Sequence, residues 1–283
     1  MTIAITGATG QLGKLVVEQL LEKTAPSEVV AIVRDAAKAA PFSAQGVDVR
    51  VASYEDRAAL DAALVGVDRL LLVSGSEVGQ RVAQHQNVID AAKAAGVGHV
   101  VYTSAPRAST SELILAPEHK ATEEYLVASG LDYSVLRNNW YTENYAAQID
   151  VSRQSGTLVA AVGDGRIASA TRADFAAGAV AVLTGEGHEG KVYELGGDVA
   201  WTYDDLAVAL GEVAGREVVY QPVDAAELAR ILADAGLPEA AVGFTVALDQ
   251  NIAAGVLGEV TSDLSTLLGR PTTPLLDGLR PLA

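Results

Sequence analysis

The sequence has 283 residues, of which 49% are hydrophobic, and its formal net charge is −16 at pH 7. This length fits one α/β unit carrying a smaller lobe, and the acidic excess argues against a nucleic-acid-binding surface, which is usually basic. The chain contains no cysteine, and this excludes disulfides, thiol catalysis and cysteine-ligated metals.

A glycine-rich turn joins the first predicted strand to the first predicted helix. Residues 3–5 are apolar, and from Leu12 onwards leucine and valine recur at helical spacing. Between them, Gly7 and Gly10 favour a tight turn and close approach of phosphates, and Gly13 lets the helix lie flat against the sheet. The helix N-terminus then offers unpaired N–H groups to a pyrophosphate. The G-x-x-G-x-x-G spacing in this context predicts a dinucleotide site, the alternative being an ordinary structural turn.

The second predicted strand, residues 28–33, is followed directly by Arg34. In a Rossmann half this position faces the adenine ribose, where an acidic residue binds the 2′-hydroxyl of NAD and a basic one pairs with the 2′-phosphate of NADP. Arg34 occupies the position and Asp35 lies one step beyond it. We therefore predict a preference for NADPH, the alternative being a solvated surface arginine.

Strand and helix patterns continue to alternate through the first half of the chain. We predict strands at 47–51, 68–74, 99–104 and 131–137, and helices at 55–64, 82–95 and from residue 118, after an irregular stretch at 105–117. This alternation predicts an α/β fold, a Rossmann-type doubly wound parallel sheet with right-handed crossovers.

A loop of small residues, Ser74, Gly75 and Ser76, ends the strand at 68–74. Ligands of open α/β sheets bind at the carboxyl ends of strands. Small side chains there leave space for the ribose or phosphates of a cofactor. A flexible loop without a binding role is the alternative.

A segment rich in aromatic and amide side chains follows the sixth predicted strand. It comprises Asn138, Asn139, Trp140, Tyr141, Thr142, Glu143, Asn144 and Tyr145. Only 5% of the chain is aromatic, so this concentration indicates the wall of a pocket for a flat ligand. A hydrophobic connection between lobes is the alternative.

The C-terminal part of the chain predicts a smaller α/β lobe. We expect a helix from residue 171, a strand at 190–196, a helix at 201–214, a strand at 217–223 and mostly helix over 225–268. Within one unit, 1–283, we take residues 1–137 as the core of the dinucleotide-binding domain. Residues 138–283 supply the remaining sheet elements and a substrate-binding lobe, which forms one side of the cleft.

Six segments spread along nearly the whole chain form a specific set: ITGATGQLG at 5–13, AIVRD at 31–35, SGSEVGQR at 74–81, LRNNWYTENY at 136–145, GDGRIASATRADFA at 163–176 and GKVYELGGD at 190–198. The set resembles the NmrA-like atypical short-chain dehydrogenase/reductases. Within them it is most similar to the type 2 NAD(P)H:quinone oxidoreductases.

The resemblance implies an enzyme that uses NADPH, lacks FAD and reduces quinones. It implies that the cofactor is held by Gly7, Ala8, Thr9, Gly10, Gln11, Leu12, Arg34, Ser74, Gly75, Ser76, Asn138, Asn139, Trp140, Tyr141, Thr142 and Glu143. The chain departs from the family pattern at Ser53, where an aspartate often contacts adenine, and at Asn139, where a glycine is expected.

The chain also lacks the tyrosine and lysine that protonate a carbonyl in many short-chain reductases. When Glu123 is aligned with the glutamate that follows this lysine, His119 falls at the lysine and Leu115 at the tyrosine. We assign no catalytic residue, with His119 as a weak candidate proton donor or a surface histidine at a helix N-terminus. We expect His85, on a polar helix face, and His99 to be structural, because neither has metal-ligand spacing.

Two functions remain open at this stage, a quinone reductase and an NADP-sensing regulator without turnover. A quinone accepts hydride without a strong internal acid, so the aromatic wall at Trp140 and Tyr141 favours the enzyme. A sugar-nucleotide epimerase would need the missing tyrosine and lysine.

We expect a small-molecule quinone as partner, and we expect no FAD, no metal, no nucleic acid and no membrane contact. We also expect a cytoplasmic location, because the predicted N-terminal strand leaves no room for a signal peptide. The physiological quinone and the oligomeric state, a homodimer included, are left open.

Overall fold

The computed structural model describes all residues, 1–283. Its strands are β1 Ile3–Thr6, β2 Val29–Val33, β3 Asp48–Val51, β4 Arg69–Leu72, β5 His99–Ser104, β6 Tyr133–Asn138, β7 Thr157–Ala160, β8 Arg166–Ile167, β9 Lys191–Leu195, β10 Trp201–Thr202 and β11 Val219–Pro222. Its α-helices are α1 Gln11–Leu21, α2 Ala40–Ser43, α3 Arg57–Ala63, α4 Arg81–Ala95, α5 Ala116–Ser129, α6 Ala146–Ser155, α7 Arg172–Thr184, α8 Tyr203–Ala214, α9 Ala225–Asp234, α10 Glu239–Ala253, α11 Asp263–Leu268 and α12 Leu275–Leu279.

The chain forms two compact units. The first contains Met1–Ser109, Pro117–Asn138 and Arg172–Leu195. The second contains Thr110–Ala116, Asn139–Thr171 and Gly196–Ala283. The chain thus passes from the first unit to the second after β6, and α7 and β9 return to the first.

The first unit is built on a seven-stranded sheet in the order β3-β2-β1-β4-β5-β6-β9. Every pair of neighbouring strands is parallel, which confirms the predicted doubly wound sheet. The strand order reverses between β1 and β4. In open α/β sheets a ligand binds outside the carboxyl ends of the strands at such a switch point.

Helices cover both faces of this sheet. Ala4 packs into a core cluster with Leu60 of α3 and Val88 of α4, while α1 and α7 pack against each other and contact β1 and β4 to β6. Side chains alternate between the two faces of a strand, so Ile3 and Ile5, both fully buried, point away from that cluster. Burial of each large aliphatic side chain stabilises the fold by about 1.5–3 kcal/mol.

The second unit has fewer strands than the first and is mostly helical. It has two small sheets, β7 with β11 in parallel and β8 with β10 antiparallel. The prediction of a helix beginning at Trp201 was wrong, because residues 201–202 form β10 and Thr202 then caps α8 through a capping box with Asp205. Strands β7 and β8 and helix α6 were not predicted. No helix in the chain combines the length and apolar character that crossing a bilayer requires.

Candidate functional site

The turn between β1 and α1 has the backbone shape that a bound phosphate needs. Gly7 has a φ of +57°, and its carbonyl accepts a hydrogen bond from the N–H of Gly10 at 2.8 Å. A Cβ at Gly13 would collide with the carbonyl oxygen of Gly7, so the helix starts directly against the turn. No side chain caps the N-terminus of α1. The N–H groups of the first helical turn therefore have no side-chain partner, and binding of a pyrophosphate there stays a prediction.

The structure supports this turn through Tyr54, which sequence analysis missed. The Tyr54 hydroxyl is within hydrogen-bond distance of Thr6 Oγ1 and of the carbonyl of Val73, 2.7 Å from the latter. Thr6 Oγ1 also accepts from the N–H of Val73 at 3.0 Å. Burial raises the pKa of Tyr54 well above its usual value, so it stays a neutral donor. The ends of β1 and β4 are thereby fixed to each other at the switch point.

Arg34 lies just past the end of β2 with an exposed side chain. Its Nη1 atom is 3.4 Å from Glu77 Oε1. The neighbouring Asp35 is already engaged, because its Oδ1 accepts from the N–H of Ala37 at 2.9 Å and caps a short 3-10 helix. An acidic residue committed to a cap is poorly placed to bind a ribose hydroxyl. The cation available at this position is therefore Arg34, the residue that the sequence singled out.

Gly75, in the loop of small residues after β4, is held by helix α4. His85 Nε2 accepts from the Gly75 N–H at 2.9 Å, and Arg81 Nε donates to the Gly75 carbonyl at 2.6 Å. A Cβ at residue 75 would lie 3.0 Å from Gln84 Oε1. Ser74 is held as well, since its N–H donates to Thr103 Oγ1 at 2.9 Å. The loop is thus a fixed backbone surface, and the alternative of a flexible loop is not supported.

His85 must be neutral to hold Gly75. Its Nε2 accepts, so its Nδ1 carries the hydrogen that faces Thr122 Oγ1 at 3.0 Å. Burial, followed by the positive charge of Arg81, lowers the pKa of His85 to about 4. These contacts agree with the prediction that His85 is structural, and the side chain is buried, at 1% exposed. The sequence contained one sign that these two side chains act together: Arg81 and His85 are four residues apart, and this spacing places both on one face of α4.

His119 is buried, which contradicts the expectation of a surface histidine. The Tyr102 hydroxyl lies 2.8 Å from His119 Nδ1. Burial, followed by the positive charge of Arg81, lowers the pKa of His119 to about 3. Leu115 lies before the first residue of α5, so the position aligned with the missing tyrosine is not even helical. At neutral pH His119 is therefore a neutral imidazole, whose one remaining N–H is a very weak acid.

Glu123 takes part in a partly buried ion-pair group at the carboxyl ends of β5 and β6. Arg137 binds it through two hydrogen bonds of 3.0 and 2.6 Å and binds Glu194 at 2.8 Å. Ser104 Oγ donates to Glu123 at 2.6 Å. These contacts raise the pKa of Arg137. The group ties β5, β6, β9 and α5 of the first unit together next to Asn138, the last residue of β6.

The two departures from the family pattern have local explanations. Ser53 Oγ accepts from the N–H of Glu55 at 3.1 Å and stabilises a turn. Asn139 has no positive φ; its Oδ1 accepts from the N–H of Trp140 at 2.7 Å and its Nδ2 donates to the carbonyl of Leu257 at 3.2 Å. An amide side chain thus holds this turn where a glycine was expected.

The rest of the aromatic and amide segment belongs to the second unit. Residues 140–142 run beside residues 169–170: the N–H of Ala170 donates to Trp140 and that of Thr142 to Ala170. Thr142 is 1% exposed, and its hydroxyl pairs with Ser169 at 2.9 Å. The cofactor residues at 7–12, 34, 74–76 and 138 lie in the first unit and those at 139–143 in the second. All of these assignments stay predictions.

Comparisons with known proteins agree with this geometry. A family model described as NAD(P)H-binding matches residues 7–186. Quinone oxidoreductase 2 of Escherichia coli is 51% identical over 277 residues, which cover 98% of this chain and 97% of that protein. The crystal structure of an E. coli NADPH-dependent quinone oxidoreductase complexed with NADPH superposes with a TM-score of 0.95, at 50% identity and with 99% of each chain covered.

An NmrA-like family domain-containing oxidoreductase of Aspergillus flavus is 30% identical over 292 residues, with 100% of this chain and 95% of that protein covered. This relative confirms the resemblance drawn from the six sequence segments. The chain therefore belongs to the NAD(P)H-binding family and, within it, to the NmrA-like oxidoreductases.

Proposed function

We propose that this protein is an NADPH-dependent quinone reductase. The observation that carries the proposal is the 51% identity with E. coli quinone oxidoreductase 2, which extends over nearly all of both chains. The turn at Gly7 to Gly13 supports it, because its backbone leaves an open helix N-terminus for a pyrophosphate.

NADPH rather than NADH is the proposed cofactor because of the charge at the end of β2. Arg34 is able to turn toward a 2′-phosphate, since its ion pair with Glu77 is long and exposed. Asp35, which could otherwise select NADH, is held as a helix cap. Gly75 and Ser74 form the fixed backbone surface on the other side of the switch point.

When bound, NADPH supplies a hydride to the quinone, and we propose that no flavin and no metal take part. The hydride and one proton convert the quinone to a hydroquinone. His119 does not provide the proton, because its pKa is near 3 and its Nδ1 faces the Tyr102 hydroxyl. A reduced quinone holds negative charge on its oxygen, so water is a sufficient donor. Trp140 and Tyr141 are the predicted wall for the quinone ring.

Turnover separates this proposal from a sensor. The purified protein is mixed with NADPH and a series of benzo- and naphthoquinones, and the fall in NADPH absorbance is followed. We expect NADPH oxidation that depends on the quinone, and a primary isotope effect with deuterium-labelled NADPH if hydride transfer limits the rate. Protein that binds NADPH by calorimetry yet oxidises none of it with any quinone would instead be a sensor.

The proton source is tested at His119. The substitution His119→Asn keeps an acceptor for the Tyr102 hydroxyl, whereas His119→Ala leaves a buried cavity and an unpaired hydroxyl. We expect His119→Asn to retain most of the quinone reductase activity and His119→Ala to lower stability by about 1–3 kcal/mol. Loss of kcat in His119→Asn with an unchanged melting temperature would identify His119 as a catalytic residue.

A further inference from the structure

The second unit contains a cavity of about 190 Å³, and Trp140, one of the two residues proposed as the quinone wall, also lines this cavity. Its walls carry three aromatic residues, Trp140, Tyr145 and Tyr203, several leucines, and a single charged residue, Asp249. An engineered apolar cavity of roughly 150 Å³ holds one benzene molecule. The cavity therefore has room for a single ring with small substituents, and not for a polycyclic ligand.

Asp249 is a buried carboxylate without a counter-charge. Its side chain is 5% exposed, and its Oδ2 accepts from the N–H of Ala161 at 2.7 Å. No lysine or arginine lines the cavity. Burial raises the pKa of Asp249 against the smaller opposing effect of the Ala161 hydrogen bond. A buried charge is costly unless it is paired, and a bound cation would supply the counter-charge that the lining of the cavity lacks.

The aromatic walls favour the same kind of ligand. Tyr145 and Tyr203 pack edge to face, with ring centroids 6.2 Å apart and an interplanar angle of 84°. Tyr145 also packs against Trp201 at 5.4 Å and 74°, so its ring is fixed from two sides. Aromatic faces attract organic cations through the ring quadrupole, most strongly where water is excluded. A carboxylate beside fixed aromatic rings thus provides both elements of recognition for such a cation.

We propose that this cavity binds a small organic cation of one-ring size, with Asp249 as its counter-ion and Trp140, Tyr145 and Tyr203 as its aromatic walls. A quaternary or aromatic ammonium has this chemistry. The net charge of −16 raises the local concentration of cations around the protein. The site shares Trp140 with the proposed quinone wall, and binding of the cation needs no bound NADPH.

The proposal is tested with phenyltrimethylammonium and its neutral isostere, tert-butylbenzene. The two tryptophans are natural reporters, because Trp140 lines the cavity and Trp201 packs on Tyr145, and calorimetry provides a second measurement. We expect saturable binding of the cation, about tenfold or more tighter than that of the isostere. Equal affinity for both ligands, or no binding of the cation, would overturn the proposal.

The substitution Asp249→Asn tests whether the negative charge of Asp249 is needed for binding of the cation. Asp249→Asn preserves the volume and an oxygen that accepts from Ala161, and we expect it to weaken cation binding about tenfold while leaving tert-butylbenzene unaffected. The control is Asp234→Asn, which removes one exposed charge from α9 outside the cavity. Binding that is unchanged in Asp249→Asn, or equally weakened in Asp234→Asn, contradicts a site built on Asp249. The melting temperature of each variant reports its fold separately.

Discussion

The imidazole of His85 accepts a hydrogen bond from the backbone N–H of Gly75 at 2.9 Å. Arg81, one helical turn earlier, donates to the carbonyl of the same residue. A helix on one face of the sheet therefore fixes the orientation of a loop at its carboxyl edge. This relationship makes the predicted cofactor surface dependent on a histidine that is itself buried.

Substitution of His85 tests this dependence. His85→Leu leaves the Gly75 N–H without an acceptor, whereas His85→Gln offers a side-chain oxygen in its place. We expect His85→Leu to raise the KM for NADPH by about tenfold, because loss of one buried acceptor costs about 1–3 kcal/mol, with a smaller effect on kcat. His85→Gln should restore most of the affinity. The measurement is steady-state kinetics at varied NADPH, with melting temperatures as a control for stability. An unchanged KM in His85→Leu would remove residues 74–76 from the cofactor site.

Acid sensitivity of the fold follows from the two buried histidines. The pKa values of His85 and His119 are lowered to about 4 and about 3, below the ordinary value of about 6.5. The unfolded chain therefore binds protons at these sites before the folded chain does. Stability from this source is complete above about pH 6.5 and falls as the pH drops toward 4, by about 1.4 kcal/mol per pH unit for each histidine.

Urea unfolding between about pH 7.5 and about pH 4.5 measures this effect, with both pH values chosen to bracket the ordinary titration of histidine at about 6.5. His85→Gln removes one titrating group while keeping an acceptor for Gly75, so the slope of stability against pH should be shallower than in the wild type. An identical slope in the two proteins would show that His85 does not control acid stability.

Cofactor choice is tested at the end of β2. Arg34→Ala should weaken NADPH binding roughly ten- to a hundredfold and leave NADH binding little changed, because a charge-assisted hydrogen bond contributes about 1.5–3 kcal/mol. Glu77→Gln removes the partner that now competes for Arg34, and it should strengthen NADPH binding by a few-fold at most, since exposed ion pairs contribute about 0–1 kcal/mol. Calorimetry with both cofactors gives the comparison. Equal losses of NADPH and NADH in Arg34→Ala would contradict the assignment.

The phosphate turn is tested at Gly10. A Cβ at this position meets only the carbonyl oxygen of Gly7, at 3.1 Å, so Gly10→Ala needs a shift of a few tenths of an ångström and the fold should survive. The added methyl group lies at the surface that a pyrophosphate approaches, and we expect NADPH binding to fall at least about tenfold. Gly243→Ala is the matched control, because nothing lies within 4 Å of its Cβ. Normal NADPH binding by Gly10→Ala would mean that the turn does not hold the phosphates.

The local sequence pattern was sufficient to predict most of the strands and helices of the first unit. The glycine spacing, the apolar strands and the alternation of strand and helix are properties of neighbouring residues, and they predicted the parallel sheet, the turn at Gly7 and the position of Arg34. The short strands of the second unit could not be predicted in this way, because they are too short to show a local pattern. Two residues of β8 or β10 carry no period, and their pairing depends on a strand about 35 residues away.

Tertiary structure alone decided the state of the polar groups. His85, His119 and Asp249 have polar neighbours in sequence, which is typical of solvated helix faces, yet the fold buries all three. Burial removes water, and in its absence the charged form of each side chain becomes unfavourable and each hydrogen-bond partner contributes more. Those partners, Gly75, Tyr102 and Ala161, lie 10, 17 and 88 residues away in the chain, and only the packing of helices and strands brings them within hydrogen-bond reach.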